Sequence, residues 1–253
     1  MSDLQPGWVL SRRSYGDNGL LVELLASDVG RCSGVAKGVF RKKSGGSLAA
    51  LLQPFNPLLV RLSGRSELKT LALVEAPMPG YLLRGDALLS GLYLNELVAR
   101  VLPRFDPNPT IFVKYGEAIE SLFSGPADVA LRRFELLLLA ELGYRIDWTH
   151  DEHTDAISPE SLYYFEVGRG FSRLQANAPE GLARLAVEGS RLQRIARWHE
   201  DDLCFDEQGG VREDQRSFQD DLNWIKILTR AALSQITAGR VLRSSEIFRG
   251  IRG

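Results

Sequence analysis

Hydrophobic periodicity changes at residues 76–80, "APMPG", and this change restricts the fold more than any other feature of the chain. Before it, apolar residues fall in short runs bounded by Gly, Asp and Asn. After it, they recur at helical spacing. Two prolines and a glycine within five residues interrupt any element that would cross the segment. The chain is therefore expected to hold a β-rich domain at 1–80 and a mainly helical domain at 81–253.

The β-rich part contains "WVLSRRSY" (8–15), "LLVELLA" (20–26) and "RCSGVAKGVF" (31–40), separated by "GDNG" (16–19) and "SDVG" (27–30). Asn and Gly accept positive φ at low cost, so "GDNG" is hairpin chemistry. A second hairpin is predicted for "LLVRLSG" (58–64) and "ELKTLALVEA" (67–76) across Gly64 to Ser66. Five short strands in this space suit a small closed barrel, because closure removes the sheet edges that invite aggregation.

In the helical part, Asp86 is placed to cap a helix over "ALLSGLYLNELVARVL". Leu88, Leu92, Leu94, Leu97, Val98 and Val101 supply its apolar face before Pro103 ends it. A second helix is predicted at "TIFVKYGEAIESLF" (110–123). A third, "ADVALRRFELLLLAELGY" (127–144), is expected to stop at Gly143. Residues 136–140 are apolar nearly all round the third helix, which suits the centre of a bundle. Residues 145–176 read as an irregular insertion with one hairpin, "YYFEVGRGFSRL" (163–174). Helices resume over "PEGLARLA", "SRLQRIARWHED" and "DQRSFQDDLNWIKILTRAALSQIT" (214–237).

The formal net charge of the 253 residues is only −1, but the charge is unevenly placed. Residues 1–80 hold ten Lys and Arg against six Asp and Glu, and residues 31–69 hold eight against Glu67 alone. Such a local excess attracts a polyanion. It centres on "GVAKGVFRKKSGGS" (34–47), where glycines 34, 38, 45 and 46 let the cations follow a backbone of variable shape. Arg31, Lys37, Arg41, Lys42, Lys43, Arg65 and Lys69 are the expected phosphate contacts. Phe40 has two readings, a base-stacking platform or, as is commoner at a strand end, a core residue.

Other chemistry is poorly supported. No apolar run is long enough to cross a membrane, and "MSDLQPGW" lacks the basic and apolar regions of a signal peptide, so a cytosolic protein is expected. Cys32 and Cys204 match no disulfide or metal spacing. "GRSELKT" departs from a P-loop where Leu68 replaces the glycine that must admit phosphate, and it reads better as the start of a strand. His150 and His153 in "HDEHTD" have metal-ligand chemistry, but such a pair in a polar loop is more often plain surface. His199 has acidic neighbours and no nearby Ser or Cys nucleophile motif, and Asp201/Asp202 and Asp220/Asp221 read as helix-surface or capping charges.

The segments "VAKG", "LQPF", "GRSELKT", "YLNEL" and "RRFELLLLAELGY", in this order, together with the closing "AGRVLRSSEIFRGIRG", resemble the RecO family of bacterial recombination mediators. The resemblance covers nearly the whole chain and is weakest at 145–213. It implies an α+β protein, with an N-terminal five-stranded OB-fold β-barrel and a helical body, that is not an enzyme. It also implies binding of single- and double-stranded DNA and annealing of complementary strands. The implied partners are the acidic tail of single-strand-binding protein and RecR, with RecA loading as the outcome, in the nucleoid-associated cytoplasm. A greasy groove rimmed by cations would suit the tail, and Arg132, Arg133 and Leu137 are the expected contacts. An OB-barrel RNA-binding or translation factor, and an enzyme built on His199, are the alternative readings.

Some RecO-like proteins carry a four-cysteine zinc module after the segment matching "ELGY". Residues 145–176 contain no cysteine, so no cofactor is expected. Metal analysis of the purified protein should find no stoichiometric zinc, and a chelator should leave its melting temperature unchanged. About one zinc per chain would return attention to His150 and His153.

Overall fold

The computed structural model describes residues 3–40, 42–43, 46–175, 186–200 and 215–237. Strands β1 (Gln5–Tyr15), β2 (Gly19–Ala26) and β3 (Gly30–Lys37) form an antiparallel meander. A two-residue pair, β4 (Lys42–Lys43) with β5 (Gly46–Ser47), and a one-turn helix α1 (Leu48–Leu51) follow. Strands β6 (Pro57–Ser63) and β7 (Leu68–Glu75) then complete a closed barrel of order β1-β2-β3-β7-β6. Its interior is filled by Val9, Val22, Leu24, Cys32, Leu58, Val60 and Leu62, with Leu52 and Val39 at the α1 end. Each such aliphatic side chain contributes about 1.5–3 kcal/mol on burial.

The five expected strands are present, with shifted ends. β1 begins at Gln5, three residues before the predicted start, because residues 5–8 pair with residues 57–60 of β6. β3 stops at Lys37, because Gly38 takes φ 63° and turns the chain. "GRSELKT" does enter a strand, β7, at Leu68.

Helix α2 (Gly85–Val101) corrects the reading of its cap and of its face. Arg84 occupies the cap position, and Asp86 lies inside the first turn, where it meets the positive end of the helix dipole. Leu88 and Leu92, expected in the apolar face, are each 37% exposed. The buried stripe instead carries Ser90, Tyr93, Leu94, Asn95, Leu97 and Val98. Asn95 accounts for this rotation. Its Nδ2 donates to the Leu10 carbonyl at 3.0 Å, where a bulge interrupts the β1–β2 ladder, and its Oδ1 accepts from the Tyr115 hydroxyl.

Tyr115 belongs to α3 (Pro109–Ser124), which begins as a helix should. Asn108 caps it by accepting from the Ile111 amide at 2.9 Å, and Pro109 opens the first turn. Ile111, Tyr115, Ala118, Ile119 and Leu122 form its buried stripe. Trp8 of β1 meets Tyr81 and Tyr115 at ring-centroid distances of 6.4 and 5.6 Å, which joins α3 to the outside of the barrel.

Helix α4 (Ala127–Glu141) ends where the glycine predicted. Gly143 has φ 86°, its amide donates to Ala140, and the Tyr144 amide donates to Leu139 at 2.8 Å. This pair of bonds is a Schellman motif. Leu138 and Leu139 are fully buried, whereas Leu136, Leu137 and Ala140 are only half-buried.

Compactness divides the chain within α4, so the barrel, α2 and α3 form one unit that runs to Phe134. The unit beginning at Glu135 holds β8 (Leu162–Glu166), β9 (Gly170–Arg173) and β10 (Val187–Glu188) in a three-stranded sheet, so the predicted hairpin is present. It also holds α5 (Gly189–Glu200) and α6 (Gln215–Ile236). Arg191 and Arg194 of α5 both bond to Asp221 of α6, at 2.6 and 2.7 Å, and the Asp221 carboxylate is fully buried. Asp221 is thus an internal anchor, which corrects its reading as a surface charge. Most of "PEGLARLA", and the side chain of His199, lie outside the described residues.

Asn95→Ala should leave the buried Leu10 carbonyl unpaired and cost about 1–3 kcal/mol. A chemical-denaturation curve checks this, and an unchanged midpoint would show that the bond contributes nothing.

Candidate nucleic-acid interface

The expected phosphate contacts occupy different parts of the barrel surface. On β3, Arg31 and Lys37 lie at opposite ends. The Arg31 side chain is only 15% exposed and its guanidinium is engaged by the protein itself. Its Nη1 donates to Glu23 at 2.7 Å and its Nε to the Leu102 carbonyl at 2.7 Å. Glu23 also accepts from the Ser33 hydroxyl at 2.5 Å and from Arg104 at 3.2 Å. A phosphate reaching Arg31 would therefore compete with a carboxylate already in place.

Lys69 is half-buried on the same side of β3. Its Nζ donates to the Gly64 carbonyl at 3.2 Å and lies 5.2 Å from the centre of the Phe105 ring. Burial first, then Glu23, pushes the Cys32 thiol up to about 11 despite the opposing fields of Lys69, Arg104 and Arg31. A thiol held protonated in this way is a poor nucleophile.

Lys37 and Arg65 face solvent. Lys42 and Lys43 sit on β4 and pair with Ser47 and Gly46 of β5. Arg41 lies outside the described residues, as do the side chains of Lys42 and Lys43.

Several residues on this surface escaped the sequence reading. Residues 11–15 of β1 are all exposed, which places Arg12, Arg13 and Tyr15 on the surface. Arg12 donates to the Ala49 carbonyl of α1 at 2.7 Å. The signal was available in "SRRSY", five polar or amphipathic residues where an inward-facing apolar one would be needed. Phe40 is 56% exposed, which removes the expectation that it is core.

The proposed tail contacts on α4 are placed unequally. Arg132 is buried, at 3% exposure, Arg133 faces solvent, and Leu137 is half-buried. In the loop after α4, His150 and His153 are both exposed. Asp147 organises this loop by accepting from the Thr149 and His150 amides. Burial raises the Asp147 carboxyl, but its hydrogen bonds from Thr149 and His150 outweigh this and hold it below the usual carboxylate range. Among the described residues, no group of three or more His, Cys, Asp or Glu side chains is placed to hold a metal. No helix among them is long and apolar enough to cross a membrane.

A five-stranded barrel of this order, with α1 between its third and fourth long strands, is an OB fold, a class that binds oligonucleotides and oligosaccharides on its face and loops. Comparison with known proteins narrows the class. Residues 1–77 match the family described as recombination protein O N terminal, and residues 82–204 match recombination protein O C terminal. The protein named DNA repair protein RecO of Halorhodospira halophila is 37% identical over 248 residues, 98% of this chain and 97% of its own. The Idiomarina loihiensis protein of that name is 35% identical over 252 residues, covering 98% of each chain, and the Azoarcus one is 40% identical over 198 residues, 77% of this chain and 80% of its own. The chain belongs to the RecO family, and the resemblance read from its motifs is borne out.

If the basic loop touches DNA, replacing Arg41, Lys42 and Lys43 together by Ala should flatten the salt dependence of single-strand binding by about 2 in log–log slope, at roughly 0.7 for each phosphate no longer neutralised. Titrations at several salt concentrations measure this, and an unchanged slope would mean that the loop faces away from the strand.

Proposed function

We propose that this protein is a recombination mediator that binds single- and double-stranded DNA and anneals complementary strands. With single-strand-binding protein and RecR, it promotes loading of RecA. The observation that carries the proposal is family membership over the full chain, joined to a cation excess confined to the barrel. The protein makes and breaks no covalent bond in this role, and it works in the cytoplasm at the nucleoid.

The physical task in annealing is to bring two polyanions together. Lys37, Arg65 and the basic loop lower the repulsion by neutralising phosphates with release of counterions. Phosphate contacts carry no sequence information, so base edges remain free to pair. An acidic peptide tail would be steered by cations on the body and anchored by an apolar residue. On α4, Arg133 is the solvent-facing cation suited to that steering, beside half-buried Leu137.

Annealing of complementary strands coated with single-strand-binding protein, with and without this chain, tests the proposal. The chain should accelerate annealing of both coated and bare strands, and Arg133→Glu should abolish only the former. No acceleration of either by the native chain would overturn the mediator reading. Equal loss on both substrates in the variant would move the tail site off α4.

A further inference from the structure

Four aromatic residues lie between residues 3 and 75, and the barrel treats them in two ways. Trp8 and Phe55 are buried, at 8% and 4% exposure, whereas Tyr15 and Phe40 are 47% and 56% exposed. Both exposed rings lie at one end of the barrel. The strand register pairs Tyr15 with Gly19 and Gly19 with Lys37, so all three share one face. In the next row Leu20 and Ala36 belong to the core, whereas Ser14, like the rest of residues 11–15, is exposed. Tyr15 and Lys37 are both exposed and stand two strand spacings, about 10 Å, apart. Gly19 between them is buried, and a Cβ there would lie 2.5 Å from the Tyr15 carbonyl oxygen.

The exposure of Phe40 is imposed by its neighbour. Gly38 turns the chain at φ 63° and directs Val39 into the core, where it is fully buried. The Val39 amide donates to the Asn18 carbonyl at 3.2 Å, and its carbonyl accepts from the Ala49 amide at 3.0 Å. Both backbone groups of Val39 are therefore fixed, one of them to the turn that follows Tyr15. With Val39 held inward, Phe40 is left in solvent at the start of the basic segment 41–43.

We infer that Tyr15 and Phe40 are base-stacking residues, each taking the face of an unpaired base while Lys37 holds an adjoining phosphate. A large ring held in water beside cations is suited to a ligand that has both a π face and a negative charge. Bases in a duplex are already stacked on each other and offer no free face. These two rings would then give single strands an advantage that charge alone does not, and would let the protein release strands once they pair. The inference rests on the DNA-binding reading above and adds a base-dependent part to it.

The test compares three probes of equal length: oligothymidylate, an abasic single strand and a duplex. Native protein should bind oligothymidylate more tightly than the abasic strand. Tyr15→Ala and Phe40→Ala should each weaken oligothymidylate binding about fivefold or more, with abasic and duplex affinities and the salt slope unchanged. Tyr15→Phe and Phe40→Tyr should retain native binding. Variants that hold oligothymidylate as the native protein does, or that weaken on all three probes equally, would overturn the inference while DNA binding stands. A native protein that bound none of the probes would overturn the DNA-binding reading itself.

Discussion

The barrel is closed at its weakest by the parallel pairing of β3 with β7, which spans only three residue pairs, Ser33 with Leu68 to Val35 with Thr70. Parallel closure leaves the beginning of β3 with an edge to satisfy. The segment after α2 supplies the cover. The Phe105 amide donates to the Arg31 carbonyl at 2.9 Å, while the Leu102 carbonyl and Glu23 take up the Arg31 guanidinium. Glu23 then collects Ser33 and Arg104 as well. The same contacts that seal the sheet fix the end of α2 against the barrel. They also withdraw Arg31 from solvent, whereas Lys37 and Arg65 are exposed.

This seal separates two kinds of charge on one surface. Around Glu23, arginines are paired and partly desolvated, and removal of the carboxylate would leave two cations without their counter-charge. At the opposite end of β3, Lys37 is exposed beside the turn at Gly38. The first arrangement holds the fold, and the second is suited to sequence-independent contact with phosphates.

How far the sequence disclosed this depends on whether each cue was local. Turn chemistry in "GDNG" and the left-handed glycine at 143 are local, and both the hairpin and the helix end are where they point. The start of β1 was hidden because "QPG" has neither alternation nor strand propensity, and its pairing with β6 is distant in sequence. The buried face of α2 was misjudged because polar Asn95, and not a leucine, turns the helix towards the Leu10 carbonyl. Arg132 read as a rim charge, yet it is buried, a fate that spacing alone does not separate from that of its neighbour Arg133. Of the two readings of Phe40, the core one rested on its position in its run. The turn at Gly38 shifts the inward position to Val39, and no pattern within the strand announces a shift of one residue.

That DNA is met at the end of the barrel formed by the β1–β2 turn and the close of β3 is tested most directly by amide hydrogen exchange, with and without a saturating single strand. Exchange should slow in peptides covering 12–20 and 36–47 and stay unchanged across α2 and α3. Protection confined to the helices, with the barrel end exchanging as in the free protein, would contradict it.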